Sequence, residues 1–97
     1  MNQTADISLQ LDPSLQIKDV EAVHRVLAQA LEGEAPIKID VSRVSAVDTA
    51  GIQLLLALRQ EGTRRGITVQ YCGDSPVLQH ALTLLGLSDA IFGGGNP

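Results

Sequence analysis

Aromatic residues are almost absent from this chain, which has one tyrosine, one phenylalanine and no tryptophan among its 97 residues. Proteins that bind single-stranded nucleic acid usually stack bases on aromatic rings, and very few rings are present here. Positive charge is also scarce, because seven lysines and arginines stand against eleven acidic residues and give a net charge of -4 at pH 7. No face looks basic enough to follow a phosphate backbone. These two shortages exclude nucleic acid as an expected partner.

Cysteine and long apolar runs are missing as well. The single cysteine, Cys72, cannot form an internal disulfide and gives no support for a thiolate metal cluster, so we expect a reduced compartment. The first twelve residues lack the basic start and apolar stretch of a signal peptide. The longest apolar run, Leu54 to Leu58, is far shorter than the roughly 18 residues of a membrane-spanning helix. We therefore expect a cytoplasmic protein with no membrane insertion and no cofactor.

Hydrophobic periodicity divides the chain into alternating strands and helices. Three segments alternate apolar and polar residues, as a strand with one buried face does, namely residues 7–11, 37–41 and 67–71. Each is followed by a segment with helical spacing, namely residues 19–31, 50–65 and 76–85. Asp19 and Ser75 are placed to cap the first and third helices, and Gly66 and Gly86 to end the second and third. A short helical turn is expected at residues 88–92, followed by a flexible tail at residues 93–97.

This order predicts a single α/β domain over residues 1–97, with its core at about residues 7–92. Strands separated by helices favour a mixed, mainly parallel β-sheet joined by right-handed crossovers. Polar residues recur at alternate positions of every strand, as Lys38, Asp40 and Thr68 illustrate. A sheet covered on both faces would have almost continuously apolar strands. We therefore expect two layers, with the helices packed on one face of the sheet. The apolar residues that alternate with these polar ones, such as Ile39 and Val69, should be buried beneath the helices.

One segment of the sequence resembles a known family. Residues 37–58, IKIDVSRVSAVDTAGIQLLLAL, resemble the centre of STAS domains, the fold of bacterial anti-sigma factor antagonists. In that family a strand ending in an aspartate is followed by a linker and by Asp-Ser/Thr-small-Gly-apolar, which opens a helix. The residues that match are Asp40, Asp48, Thr49, Ala50, Gly51 and Ile52. The segments at residues 75–77 and 84–87 are similar to the last helix of the family and its exit, so the resemblance extends over about residues 7–92.

Two departures from the family pattern affect the interpretation. The family usually has an extra N-terminal strand and hairpin, and residues 1–6 are too few for it, so we expect that edge of the sheet to be shortened or lost. In many antagonists the first hydroxyl after the aspartate is phosphorylated by a serine kinase, and Thr49 occupies that position. Ala50 lacks the second hydroxyl of the motif. A threonine at this position resembles the STAS subunit of phospholipid-transport ABC systems and short chemotaxis-associated STAS proteins more than it resembles the sporulation antagonists.

The resemblance implies a regulatory protein-binding module rather than an enzyme. Its partner would be an anti-sigma factor or serine kinase-like protein, a chemotaxis component or, alternatively, the ATPase of a phospholipid transporter. Thr49 is the candidate phosphoacceptor. The expected partner-binding residues are Asp48, Thr49, Ala50, Gly51, Gln53 and Leu54. The residues themselves show no nucleophile–base pair or carboxylate pair that would indicate catalysis.

Local physical chemistry leaves alternatives open at this motif. Asp48 or Thr49 can cap the helix that follows, and either role could be purely structural. Gly51 either allows a partner or a neighbouring loop to approach the backbone closely or relieves crowding at the strand-to-helix turn. The apolar side chains of this helix span a wide arc that includes Leu54 and Leu58. That arc either contacts both the sheet and neighbouring helices or leaves an apolar edge for a partner or a weak homodimer.

Overall fold

Three parallel strands form the sheet of this domain, in a computed structural model that describes residues 6–93. The elements in chain order are β1 (Ile7–Gln10), β2 (Ser14–Leu15), α1 (Val20–Leu31), β3 (Ile37–Asp40), β4 (Ala46–Val47), α2 (Thr49–Arg65), β5 (Val69–Cys72) and α3 (Pro76–Leu85). The sheet has the order β1-β3-β5. Ile37, on the central strand, lies opposite Ile7 on one side and Val69 on the other. The predicted α/β class with a mainly parallel sheet is confirmed.

The alternating pattern of the strands correctly predicts which face is buried. Ile37, Ile39 and Val41 are at most 1% exposed, and Val69 is also buried. The polar side chains that alternate with the apolar ones along the strands point to the opposite face. Those of Ser8, Gln10, Lys38 and Gln70 are exposed there. A register shifted by one residue would have exchanged these two sets. The helices therefore cover one face of the sheet, and the polar face stays in contact with solvent.

The helix ends follow the predicted signals with one exception. The Ser75 hydroxyl accepts a hydrogen bond from the Leu78 backbone nitrogen at 3.2 Å and donates one to the Val44 carbonyl at 2.7 Å. Gly66 and Gly86 end their helices with φ values of 76° and 71°, which side chains disfavour. The prediction that Asp19 caps α1 is wrong, because its carboxylate does not bond to the helix. It turns back to Ser14 and Gln16 instead.

The pairing of two very short strands was not predicted. β2 and β4 pair in parallel, with Leu15 opposite Val47. They are two residues long, too short to show a hydrophobic period in the sequence. Their pairing brings the segment before α1 against the segment before α2. The segment that contains β2 and the segment that contains β4 therefore meet at the start of α2.

The last described residues form a helical turn at Asp89–Gly93, close to the predicted range. The Arg59 guanidinium of α2 donates hydrogen bonds to the carbonyl oxygens of Ile91 and Ala90, which tie this turn to the helix. The expected tail at residues 93–97 lies outside the described residues except for Gly93. The shortened N-terminal edge was expected from residues 1–6, and residues 1–5 also lie outside the described residues. Within residues 6–93, the structure contains no helix with the length and apolar character needed to cross a membrane.

Candidate functional site

Asp48 shapes the start of α2. Its backbone is extended, with φ −131° and ψ −178°, and its side-chain Oδ1 accepts a hydrogen bond from the Gly51 backbone nitrogen at 3.0 Å. Its carbonyl accepts the first helical bond, from the Ile52 nitrogen at 3.1 Å. This is the geometry of an N-cap, which satisfies one of the donors left over in the first turn of a helix. Of the two capping candidates in the sequence, the structure uses Asp48.

The same carboxylate also holds a distant segment of the chain. Oδ2 of Asp48 accepts a hydrogen bond from the Ile17 backbone nitrogen at 2.9 Å, and the Asp48 nitrogen is 3.3 Å from the Leu15 carbonyl oxygen. These N–H groups, Ile17 first and then Gly51, hold the pKa of the Asp48 carboxyl below its ordinary value. Asp48 is therefore ionised at neutral pH and connects the tight turn at Ile17–Asp19 to α2.

Gly51 lies where two backbones come closest at this site. It is buried, and a Cβ added there would overlap the Leu15 carbonyl oxygen and lie 2.8 Å from Leu15 Cγ. Any side chain would push β2 away from α2. The glycine thus allows the neighbouring segment to approach the helix, which was one of the two alternatives for this residue. Its backbone is covered by Leu15 in this conformation.

Thr49 occupies the first helical position and is exposed. Its hydroxyl forms no hydrogen bond with any of residues 6–93 within ordinary hydrogen-bonding distance. Gln53 lies one turn further along the same helix face and is also exposed. Across the Asp48 link, the Ile17 side chain is 70% exposed, and Lys18 beside it is exposed as well. We refer to Ile17, Lys18, Thr49 and Gln53 together as the Thr49 surface.

A second carboxylate adds negative charge next to this surface. Asp19 accepts hydrogen bonds from the Ser14 hydroxyl at 2.6 Å and from the Gln16 nitrogen at 3.0 Å. These bonds, the Ser14 hydroxyl first, lower the pKa of Asp19. Lys18 reaches the same carboxylate at 3.3 Å, although its own side chain is 67% exposed. Two ionised aspartates, Asp19 and Asp48, therefore flank the Thr49 surface, and its exposed Lys18 contacts Asp19.

The structure brings the six expected partner-binding residues together but exposes only some of them. Thr49 and Gln53 are exposed, Asp48 and Ala50 are half-buried, and Gly51 and Leu54 are buried. Sequence reasoning did not identify Ile17, Lys18 or Asp19 as neighbours of the motif. The available signal was weak: Ile17 is an apolar residue separated from α1 only by Lys18 and Asp19. Its position beside Thr49 depends on the β2–β4 pairing.

The wide apolar arc of α2 is covered by the rest of the domain. Ile52 and Leu55 belong to the core under the sheet, and Leu54 and Leu58 are only 7% and 6% exposed. Leu54 and Leu58 line a cleft of about 320 Å³ shared with residues of α1, including Leu31. The arc is wide because it contacts both the sheet and a neighbouring helix. The alternative of an exposed apolar edge, which motivated the homodimer, does not apply to Leu54 and Leu58.

Comparison with known proteins identifies the family of this chain. No curated protein matches the chain. A family model described as Mlab, STAS domain matches residues 2–93, which is nearly the full length. The matched range includes all four residues of the Thr49 surface. STAS domains serve as regulatory protein-interaction modules and are generally not enzymes. The chain belongs to this STAS family.

Proposed function

We propose that this protein binds a regulatory partner through the Thr49 surface and that phosphorylation of Thr49 ends the binding. The partner would be an anti-sigma factor or serine kinase-like protein of a bacterial partner-switching system, or a chemotaxis component. One observation carries the proposal: the Thr49 hydroxyl is exposed at the start of α2 while Asp48 performs the capping. The hydroxyl is thus accessible for modification and is not needed by the fold.

A phosphate on Thr49 would be compatible with the folded domain. It would lie at the N-terminal end of α2, where the helix dipole favours an anion. The helix is 17 residues long, so its dipole is well developed. Modification would therefore change the surface of the protein without unfolding it.

The same phosphate would change the electrostatics of the surface strongly. It would add about −1.5 to −2 charges. Asp48 is adjacent in sequence, and Asp19 is near enough for its charge to act on the Asp48 carboxyl. Lys18 is the nearby cation and already contacts Asp19. A partner that fits the unmodified surface, with its exposed Ile17 and neutral Thr49 and Gln53, would then face a cluster of three anions, which disfavours a desolvated contact.

A second candidate uses the same surface with a different partner. The threonine at position 49 resembles that of the STAS subunit in phospholipid-transport ABC systems, which would bind the ATPase of its transporter. A permanent subunit needs no modification of Thr49. The identity of the partner and the phosphorylation state of Thr49 distinguish the two candidates.

The experiment has two steps, beginning with recovery of the partner. The wild-type protein is used to purify its partner from the native host, and the modification of Thr49 is examined by mass spectrometry of the native protein. Recovery of a kinase-like or chemotaxis protein, with phosphate on Thr49, supports the switch. Recovery of a transporter ATPase with unmodified Thr49 supports the second candidate.

The second step measures affinity with matched variants. Thr49→Glu should weaken binding of the purified partner by roughly 100-fold or more, because it places an unpaired charge at the centre of the contact. Thr63→Glu adds the same charge to an exposed threonine of the same helix, far from its start, and should bind like the wild type. The melting temperature of each variant is measured on the same preparation. Equal binding by Thr49→Glu and wild type would show that the motif is only a helix cap.

A further inference from the structure

The outer edge of β1 is open among residues 6–93. The sheet order β1-β3-β5 leaves this strand with one neighbour, β3. The Ile7 nitrogen donates to the Pro36 carbonyl at 2.8 Å and the Leu11 nitrogen to the Asp40 carbonyl at 3.0 Å. Backbone groups of alternate residues face opposite sides of a strand, so those of Ser8 and Gln10 point away from β3. They form a short row of donors and acceptors that another strand could pair with.

This edge carries no lysine, proline or bulge, although β1 is only four residues long. Natural edges commonly carry lysine, proline or a bulge that prevents pairing with another chain. The segment from Ile7 to Leu11 contains neither a charge nor a proline, and it pairs with β3 in an unbroken register. An exposed sheet edge is a common template for strand addition by a partner.

An apolar cleft lies beside the same edge. It has a volume of about 170 Å³ and lies between the second half of β1 and α1, with Leu9, Leu11, Val23 and Val26 among its lining residues. Val26 is 53% exposed, and Leu9 and Val23 are only half-buried. A strand added at the usual spacing of about 4.8 Å would direct alternate side chains towards this cleft. The edge and the cleft together offer both main-chain and side-chain contacts.

Charge at the two ends of the strand indicates what kind of segment would fit. Asp6 and Asp12 flank β1 and are both exposed. If a second copy paired antiparallel with the first about Leu9, Asp6 of each copy would lie opposite Asp12 of the other. Like charges directly opposite each other destabilise strand pairs. The edge is therefore better suited to a different chain, with basic residues where the two aspartates lie.

We propose that the outer edge of β1 and its cleft form a second docking site, which binds an extended partner segment with alternating apolar residues and a basic residue at each end. The site shares no residue with the Thr49 surface. The span from Asp6 to Asp12 is about 20 Å at about 3.3 Å per residue, which corresponds to a segment of about seven residues.

The test uses a synthetic seven-residue peptide with valine at its even positions, threonine at the inner odd positions and lysine at both ends. In a titration of isotope-labelled protein, its binding should shift the amide signals of Ser8 and Gln10 and slow their hydrogen exchange. The same peptide with glutamate at both ends should bind roughly tenfold more weakly at low salt, because Asp6 and Asp12 repel it. Absence of binding by the lysine peptide at millimolar concentration, or equal binding by both peptides, would overturn the proposal.

Protein variants test the geometry. Ser8→Pro removes an outward N–H without affecting the bonds to β3 and should weaken peptide binding about tenfold or more, whereas Ser8→Ala keeps the N–H and should bind normally. Val26→Ser should weaken binding several-fold, whereas Leu84→Ser, at an exposed leucine of α3, should not. If Ser8→Pro fails to fold, a peptide N-methylated at the amides that would pair with β1 replaces it and should not bind.

Two further outcomes decide the assignment. Thr49→Glu should bind the peptide as the wild type does, since the two surfaces share no residue, and a loss of binding there would contradict two distinct sites. Sedimentation at rising protein concentration should show no dimer that depends on β1. A dimer that Ser8→Pro abolishes would assign this edge to a second copy and overturn the proposed partner.

Discussion

The Asp48 carboxylate accepts a hydrogen bond from the backbone nitrogen of Ile17, 31 residues earlier in the chain, at 2.9 Å. Its other oxygen caps α2 through Gly51. One side chain thereby fixes the start of the helix that displays Thr49 and the turn that displays Ile17. The Thr49 surface has a defined shape because both of its parts are held by the same carboxylate.

Removal of this carboxylate should destabilise the domain more than removal of the neighbouring hydroxyl. Asp48→Ala loses an N-cap and a long-range hydrogen bond, so we expect a fall in melting temperature of roughly 5 °C or more. Thr49→Ala is the matched control, because the hydroxyl of Thr49 caps nothing, and its melting temperature should stay within about 2 °C of wild type. Thermal unfolding followed by circular dichroism measures both. Equal losses would mean that Thr49 shares the capping role.

The stability of the domain should decrease in acid, partly through Asp48. The pKa of its carboxyl in the folded protein lies below the ordinary value of 3.8, because the N–H groups of Ile17 and Gly51 bond to the charged form. A lowered folded pKa stabilises the protein above the unfolded pKa, and this contribution is lost as the pH falls through 3.8 towards the folded value. Asp48→Asn removes this titration. Its free energy of unfolding should therefore depend less steeply on pH than that of wild type between about pH 5 and pH 2.

Urea unfolding at a series of pH values provides this comparison. Asp19 and Asp40 also have lowered pKa values, through hydrogen bonds from Ser14 and from the Ser42 backbone nitrogen respectively. The variant should therefore retain part of the acid sensitivity. Parallel curves for wild type and Asp48→Asn would contradict the role of Asp48 described here.

The sequence predicted the sheet well because its strands have one buried face. Alternation at Ile37, Lys38 and Ile39 was enough to assign both the strand and the direction of its side chains. The motif likewise located the start of α2. The neighbours of that motif could not be predicted in the same way. Ile17 is held at the start of α2 by a two-residue strand pair and by its hydrogen bond to the distant Asp48, neither of which leaves a periodic signal.

Asp19 illustrates why a local rule failed. An aspartate before a helical segment usually caps it, and the sequence met that condition. In the structure, the Ser14 hydroxyl and the Gln16 nitrogen compete for the same carboxylate and bind it instead. Side chains of this type often bond to nearby backbone groups outside helices, and the β2–β4 pairing positions those groups here.

Tyr71 should resist ionisation in the folded protein. It is buried, and its hydroxyl donates a hydrogen bond to the Leu55 carbonyl at 2.8 Å. Burial raises the pKa of Tyr71 above the ordinary value of 10.0. The chain has one tyrosine and no tryptophan, so the ultraviolet absorbance of the phenolate reports this residue alone. We expect its titration midpoint to lie above pH 10 or to coincide with alkaline unfolding. A midpoint at 10 in protein that is still folded would contradict the buried hydrogen bond.

Replacement of the Tyr71 hydroxyl tests the same contact through stability. Tyr71→Phe removes the donor to Leu55 and keeps the ring, so it should lower the free energy of unfolding by about 1 kcal/mol. Chemical denaturation followed by circular dichroism suits this measurement, because the variant no longer contains a tyrosine to report fluorescence. An unchanged free energy of unfolding would indicate that the hydrogen bond from the Tyr71 hydroxyl to the Leu55 carbonyl does not stabilise the domain.

Gly51 gives the sharpest test of how the two segments of the site meet. Gly51→Ala would place a methyl group against the Leu15 carbonyl oxygen and 2.8 Å from Leu15 Cγ, and the backbone of Leu15 cannot move without disturbing its pairing with Val47. We expect a loss of about 3 kcal/mol in the free energy of unfolding. Binding of the partner should also weaken, because displacement of Leu15 moves Ile17 away from Thr49.

Gly33→Ala is the matched control for this substitution. The added methyl group would meet the end of the flexible Ile7 side chain at 3.1 Å, so its cost should stay below about 1 kcal/mol. Urea denaturation of the two variants and the wild type gives the comparison, and the affinity of each variant for the partner is measured on the same material. If Gly51→Ala were as stable as Gly33→Ala, the close approach of β2 to α2 would be wrong. The placement of Ile17 beside Thr49 would then lose its support, since it depends on that approach.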